Sequence, residues 1–166
     1  MASQDNLNDA FTGESRANRK YLAYAIQAER DGFPGVARLF RAAAEAETVH
    51  ALAHFRVLGG VGSTLDNLAD AVAGEQYEFS EMYPAFLQEA RDEGWKPAEF
   101  SFRNALAVEE VHSDLFSRAR DAVERGRDAD LGPIYVCPVC GNTVVGSIPD
   151  TCPVCHVSGE KYREIR

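Results

Sequence analysis

The stretch Phe102-Arg103-Asn104-Ala105-Leu106-Ala107-Val108-Glu109-Glu110-Val111-His112-Ser113-Asp114-Leu115-Phe116 decides the fold. Phe102, Ala105, Phe116, Ala119 and Val123 recur at spacings of three, four and eleven, which marks one buried helix face. Glu109 and His112 interrupt that face near its middle. An ionised carboxylate among apolar side chains is very costly unless a cation pairs with it. Residues at i and i+3 lie a turn apart on one side of a helix, so Glu-x-x-His can present an oxygen and a nitrogen to one metal ion.

The pattern repeats. Glu47-Thr48-Val49-His50 interrupts a second stripe of Val36, Phe40, Ala43, His54 and Val57. A third stripe runs Leu7, Phe11, Glu14, Asn18, Tyr21, Ala25, Ala28. A fourth runs Leu65, Leu68, Val72, Glu75, Phe79, Met82, Phe86, with Glu78 one turn from Glu75. No lysine or arginine falls on these stripes. A lone Glu-x-x-His is ordinarily a solvated face; two copies with interior glutamates on the other two helices call for metal. Facing helices can then build a two-metal carboxylate site. His54 reads as a hydrogen-bonded core residue, and Glu45 and Glu110 as solvated charges off the stripes.

Breaks at Asp31-Gly32-Phe33-Pro34-Gly35, Leu58-Gly59-Gly60-Val61-Gly62-Ser63 and Asp92-Glu93-Gly94-Trp95-Lys96-Pro97 leave four helices, roughly 4–30, 34–58, 64–93 and 97–127. Ser63 or Thr64 suits an N-cap, and Pro97 suits a first helical turn. Pro84 should kink the third helix. Short connections imply antiparallel neighbours, and an exchange of helices between two chains would leave the same sequence trace. The expected fold class is mainly α: a four-helix bundle over residues 1–128, a linker over 129–134, and a small β/knuckle module over 135–166.

That module carries every cysteine, as Cys137-Pro138-Val139-Cys140-Gly141 and Cys152-Pro153-Val154-Cys155. Two Cys-x-x-Cys pairs can wrap one tetrahedral metal in four thiolates. Pro and Gly favour turns that aim amides at the sulfurs, with Tyr135-Val136 and Thr143-Val144-Val145 as short strands. A module this small must be held together by its metal. Zinc and iron both suit the spacing. His156 reads as a surface residue.

The chain has 166 residues, 45% hydrophobic and 26% charged, with a formal net charge of −9. That balance argues against nucleic acid or an anionic membrane as partner. No apolar run approaches the roughly 18 residues of a membrane span. No basic stretch leads into an apolar one, so no secretory leader is expected. The cysteines then read as metal-bound thiolates in a reducing cytoplasm.

Taken together, Gly13-Glu14-Ser15, Glu47-Thr48-Val49-His50, Gly74-Glu75-Gln76-Tyr77-Glu78, Glu109-Glu110-Val111-His112 and the cysteine pairs resemble rubrerythrin, a ferritin-like di-iron bundle fused to a rubredoxin-like domain. The resemblance implies iron at Cys137, Cys140, Cys152 and Cys155, with zinc as the alternative. It implies Glu47 and Glu109 as bridging carboxylates. Glu14 and Glu78 would complete one iron, and Glu75 and His112 the other. His50 would replace Glu78 in the reduced state, and the hydroxyls of Tyr21 and Tyr83 would hydrogen-bond the ligating carboxylates.

The implied activity is a peroxidase, in which two electrons and two protons convert hydrogen peroxide to two waters as part of oxidative-stress defence. The closed tetrathiolate iron would pass single electrons to the di-iron centre of the partner chain in a homodimer. The electrons would come from NADH through separate proteins, a rubredoxin or its reductase. No glycine loop for a nucleotide is present, so NADH itself is not expected to bind. Three other functions share parts of the pattern: a ferroxidase or oxygen-reducing oxidase, an iron carrier, and a non-enzymatic zinc-ribbon module on a helical scaffold.

Overall fold

A computed structural model describes all residues, Met1–Arg166. The elements are α1 (Ala2–Arg30), α2 (Pro34–Val57), α3 (Thr64–Tyr77), a π-helical turn (Glu78–Met82), α4 (Tyr83–Asp92), α5 (Lys96–Glu124), β1 (Ile134–Val136), β2 (Thr143–Val145), a 3-10 turn (Gly159–Lys161) and β3 (Arg163–Ile165). The mainly helical fold with a small C-terminal β module is as expected. No helix is long and apolar enough to cross a membrane. The chain forms two compact units, Met1–Gly62 and Ser63–Arg166. The boundary falls in the α2–α3 connection, and the 129–134 segment lies inside the second unit.

The first unit is the α1–α2 pair. Its seam is made of small residues: Ala25 and Ala28 from α1, and Ala37, Ala44 and Ala51 from α2, all buried. The seven-residue spacing of the α2 alanines keeps one narrow strip against α1, and the missing side-chain bulk lets the backbones approach. The larger stripe expected to be the buried face is only partly so, since Val36 and Val57 are exposed. Helix α2 therefore has two apolar faces, a small one for α1 and a larger one beside it. Asn18 pins the seam: its Nδ2 donates to the Ala44 carbonyl at 2.7 Å and to Thr48 Oγ1 at 2.8 Å.

In the second unit α3, α4 and α5 pack together with the β module. Ser63 caps α3 reciprocally: Asp66 N–H donates to Ser63 Oγ at 3.2 Å, and Ser63 N–H donates to Asp66 Oδ2 at 3.1 Å. The continuous helix expected over 64–93 is instead broken by the π turn, where Tyr83 N–H reaches back five residues to the Glu78 carbonyl. Pro84 follows directly, in the first turn of α4. A proline ring clashes with the carbonyl four residues earlier, and one wide turn relieves the clash without ending the helix. Helix α5 stops at Glu124, short of the expected 127, because Gly126 takes a left-handed φ of +68°.

The β module is a three-stranded antiparallel sheet in the order β2-β1-β3, with Tyr135 opposite Val144 on one side and Glu164 on the other. Both expected strands form; β3 joins them. The core is the cysteine cluster itself, with Cys137, Cys152 and Tyr162 buried and Tyr135, Val144, Val154 and Val157 packed around them.

Candidate metal centres

Three clusters of metal-binding side chains form, each with its donor atoms within 4.8 Å of one another: Cys137–Cys140–Cys152–Cys155, Glu75–Glu109–His112 and Glu14–Glu47–His50. Ten of the eleven ligands expected from sequence fall in these sets, and Glu78 lies beside Glu109 and His112.

The cysteines form no disulfide, with Cys137 Sγ 3.7 Å from Cys155 Sγ and Cys140 Sγ 3.6 Å from Cys152 Sγ. A disulfide needs about 2.05 Å. Four thiolates bound at about 2.3 Å to a tetrahedral ion lie about 3.8 Å apart, so the spacing fits a metal. The two knuckles are built alike: Gly141 N–H donates to the Cys137 carbonyl at 2.9 Å, and His156 N–H to the Cys152 carbonyl at 3.0 Å. Both turns need a left-handed residue, φ +86° at Gly141 and +62° at His156. Burial raises the Cys152 thiol, but amides of Cys155 and Val154 and the Tyr162 hydroxyl outweigh it and bring it down to about 6. Burial pushes Cys140 and Cys155 up. Cys152 thus ionises readily, and a cation is needed to take Cys140 and Cys155 to thiolate.

In the second unit, α3 supplies Glu75, the π turn supplies Glu78, and α5 supplies Glu109 and His112. His112 Nδ1 lies 2.8 Å from Glu109 Oε2 and 3.8 Å from Glu75 Oε1. Burial first, then a hydrogen bond and charge from Glu109, raise the Glu75 carboxyl to about 7. Glu78 is raised by burial and by Glu109, with His112 pulling the other way. Carboxylates that hold each other's protons this way form a donor set short of positive charge, and a divalent or trivalent ion fits it. Tyr83 is raised by burial and by Glu109, Glu78 and Glu75, so it keeps its proton at neutral pH beside the cluster. Its ring packs on Phe86 and Phe102.

In the first unit, His50 Nδ1 lies 3.0 Å from Glu47 Oε2, with Glu14 completing the set. The His50 side chain is 56% exposed, against 28% for His112. Tyr21 packs in an aromatic group with Tyr24 and Phe40. Asn18 and Thr48, one turn from Glu14 and next to Glu47, brace the pair at the level of its ligands; the polar Asn18 on an apolar stripe was the signal for that. Tyr162 and Asn142 escaped sequence reading, and Thr143 was read only as a strand residue. Tyr162 accepts from Asn142 Nδ2 at 2.8 Å beneath the sulfurs, and Thr143 Oγ1 meets His112 Nε2 at 3.0 Å.

A helical chain that presents glutamates with two Glu-x-x-His pairs and carries a tetrathiolate knuckle is a non-haem iron protein with separate carboxylate and thiolate centres. A family model described as rubrerythrin matches residues 5–120, and one described as the rubrerythrin rubredoxin-like domain matches residues 135–163. Rubrerythrin-2 of Clostridium acetobutylicum is 39% identical over 173 residues, covering 96% of this chain and 94% of the relative. Nigerythrin of Nitratidesulfovibrio vulgaris is 32% identical over 165 residues, covering 91% of this chain and 80% of that protein. The solved fully reduced, all-ferrous state of nigerythrin superposes with a TM-score of 0.59 at 30% identity, covering 98% of this chain and 86% of that one. The chain belongs to the rubrerythrin family of oxidoreductases. Each carboxylate–histidine cluster fits an iron ion, as relatives that bind iron would need, and the cysteines fit a single iron.

Proposed function

We propose that the protein is a cytoplasmic peroxidase that reduces hydrogen peroxide to two waters with two electrons and two protons. The observation that carries this reading is the closed cysteine site. Four sulfurs at tetrahedral spacing leave no position for a substrate, so the module's use is to deliver electrons, and an appended electron donor implies a carboxylate centre that turns over. Simple iron storage or a structural zinc ribbon gives such a donor nothing to do.

Glu47 and Glu109 are the bridging carboxylates in this reading. Glu14 and Glu78 complete one iron position, and Glu75 and His112 the other. Iron held by these residues would supply the two electrons and a positive charge for the peroxide. The protein's own part is positional. His50 is held at one nitrogen and well exposed, which suits a ligand that exchanges with Glu78. Tyr83 keeps its proton beside the carboxylates and would donate it to them as a hydrogen bond, the role this reading gives Tyr21 in the other set. The working form is a homodimer, which would also cover the exposed Leu39, Val49 and Leu52 of α2. The electrons come from NADH through a rubredoxin or its reductase.

The test is anaerobic. Reduced protein, freed of reductant, receives one equivalent of hydrogen peroxide or of dioxygen while the ferric–thiolate colour is followed. Fast return with peroxide and slow return with dioxygen is expected. Preference for dioxygen would replace the peroxidase by an oxygen-reducing oxidase, and a colourless protein by a zinc module.

A further inference from the structure

We propose that Thr143, in the cysteine module, is a positioning residue for the carboxylate metal site: its hydroxyl holds His112 by Nε2 and so aims Nδ1 at the ion. The inference rests on reading Glu75, Glu109 and His112 as metal ligands. Nothing in the spacing of the sequence points to Thr143, which stands 31 residues from His112.

The argument begins with the hydroxyl's own hydrogen. Thr143 Oγ1 donates to the Gly141 carbonyl at 3.2 Å. A threonine hydroxyl has one hydrogen to give, so towards His112 Nε2, 3.0 Å away, Oγ1 is the acceptor. His112 therefore carries a hydrogen on Nε2. In the neutral ring the lone pair is then on Nδ1, the nitrogen that lies 2.8 Å from Glu109 Oε2 and 3.8 Å from Glu75 Oε1. A lone pair aimed at carboxylate oxygens is repelled unless a cation sits among them. In that tautomer Nδ1 is the nitrogen left to bind the metal. Partners on the remote nitrogen of a ligating histidine fix its orientation and raise its basicity.

Thr143 is well built for the task. It is β-branched, hence stiff at its first torsion, and it lies in β2 opposite Val136. The loop before it is seated on the same helix: a side chain at Gly141 would meet Val108 Cγ1 at 3.7 Å, one turn of α5 before His112. An apolar cavity of about 300 Å³ lined by Leu68, Leu115, Phe116 and Val145 flanks the contact. His50, in the first unit, has a bond at Nδ1 only. Of the two Glu-x-x-His histidines, one is clamped at both nitrogens and the other is held at one.

The experiment uses the full chain with zinc in the cysteine site, which keeps that module folded and colourless. Cobalt(II) alone is titrated into the carboxylate site of the wild type, Thr143→Val and Thr143→Ser. Valine preserves shape and removes the acceptor, and should weaken cobalt binding about 10–100-fold; serine should restore it. Zinc retained by the cysteines reports that each variant is folded. Independently, nitrogen NMR of the fully zinc-loaded wild type should show His112 metal-bound at Nδ1 and protonated at Nε2, with that hydrogen exchanging faster in Thr143→Val. Equal cobalt affinity in the valine variant overturns the proposal, and so does metal on Nε2 in the wild type. A wild type that binds cobalt as expected but, when iron-loaded, ignores peroxide would refute the peroxidase reading and leave Thr143 standing. Failure to bind cobalt at Glu75, Glu109 and His112 would refute both.

Discussion

Glu75→Gln should stabilise the protein when its carboxylate sites are stripped of metal, and only above a certain pH. Glutamine keeps the shape and a hydrogen bond to Glu109 but cannot ionise. The Glu75 carboxyl is raised from 4.5 to about 7 by burial and by Glu109, and its side chain is only 21% exposed, so solvent screens the effect weakly. A rise of that size is worth about 3 kcal/mol. The sign follows from linkage. Below the unfolded-state value of 4.5 the group is protonated whether folded or not, and it costs the fold nothing. Between there and about 7 the folded state holds a proton that the unfolded chain releases, so stability falls by about 1.4 kcal/mol per pH unit. Above about 7 the full penalty stands. Urea unfolding of wild type and variant, with the cysteine site filled, should therefore coincide near pH 4.5. They should differ by about 3 kcal/mol at pH 8, a midpoint shift of about 1–2 M. Adding ferrous ion should reverse the order, because the ion needs the charge that glutamine lacks. A stability difference that does not change between pH 4.5 and 8 would refute the reasoning, since a packing effect has no pH dependence.

Two further substitutions separate the parts of the molecule. His50→Leu should keep its iron and lose peroxide turnover about 10–100-fold; undiminished turnover at full iron content would remove His50 from the exchange with Glu78. His156→Gly should stabilise the cysteine module by about 1 kcal/mol, because His156 is exposed and holds the left-handed φ of +62° that Gly141 meets without cost in the twin knuckle; thermal bleaching of the ferric–thiolate band at an unchanged temperature would count against that.

The residues that bind metal were legible because each violates its surroundings. Glu109 and His112 stand out on an apolar stripe, and paired cysteines stand out anywhere. Spacing then placed the ligands on helices whose ends Ser63, Gly94 and Pro97 mark locally. What escaped depends on contacts remote in sequence or on competition between equals. Helix α2 offered two apolar faces, and periodicity favours the one with larger side chains. Close packing in the α1–α2 pair selects the alanines instead. Pro84 announced a disturbance but not its form, because a kink and a wide turn leave the same trace. Strand β3 has no buried side chain in Arg163-Glu164-Ile165; its pairing with β1 is a backbone matter. Thr143 was read correctly as a strand residue, yet its use depends on which side of the sheet meets α5.

The dependence of His112 on a residue of the cysteine module bears on maturation. That module has almost no interior apart from its sulfurs, so a chain that has not acquired its cysteine-bound ion has no rigid β2 and offers no fixed hydroxyl to His112. Its carboxylate centre would then be the weaker competitor for scarce iron. Filling would run in one direction, thiolates before carboxylates, and a chain unable to receive electrons would be the last to acquire the centre that spends them. Ferrous ion bound to carboxylates with no electron supply is a hazard in the presence of peroxide, and such an order of assembly would keep half-finished chains rare.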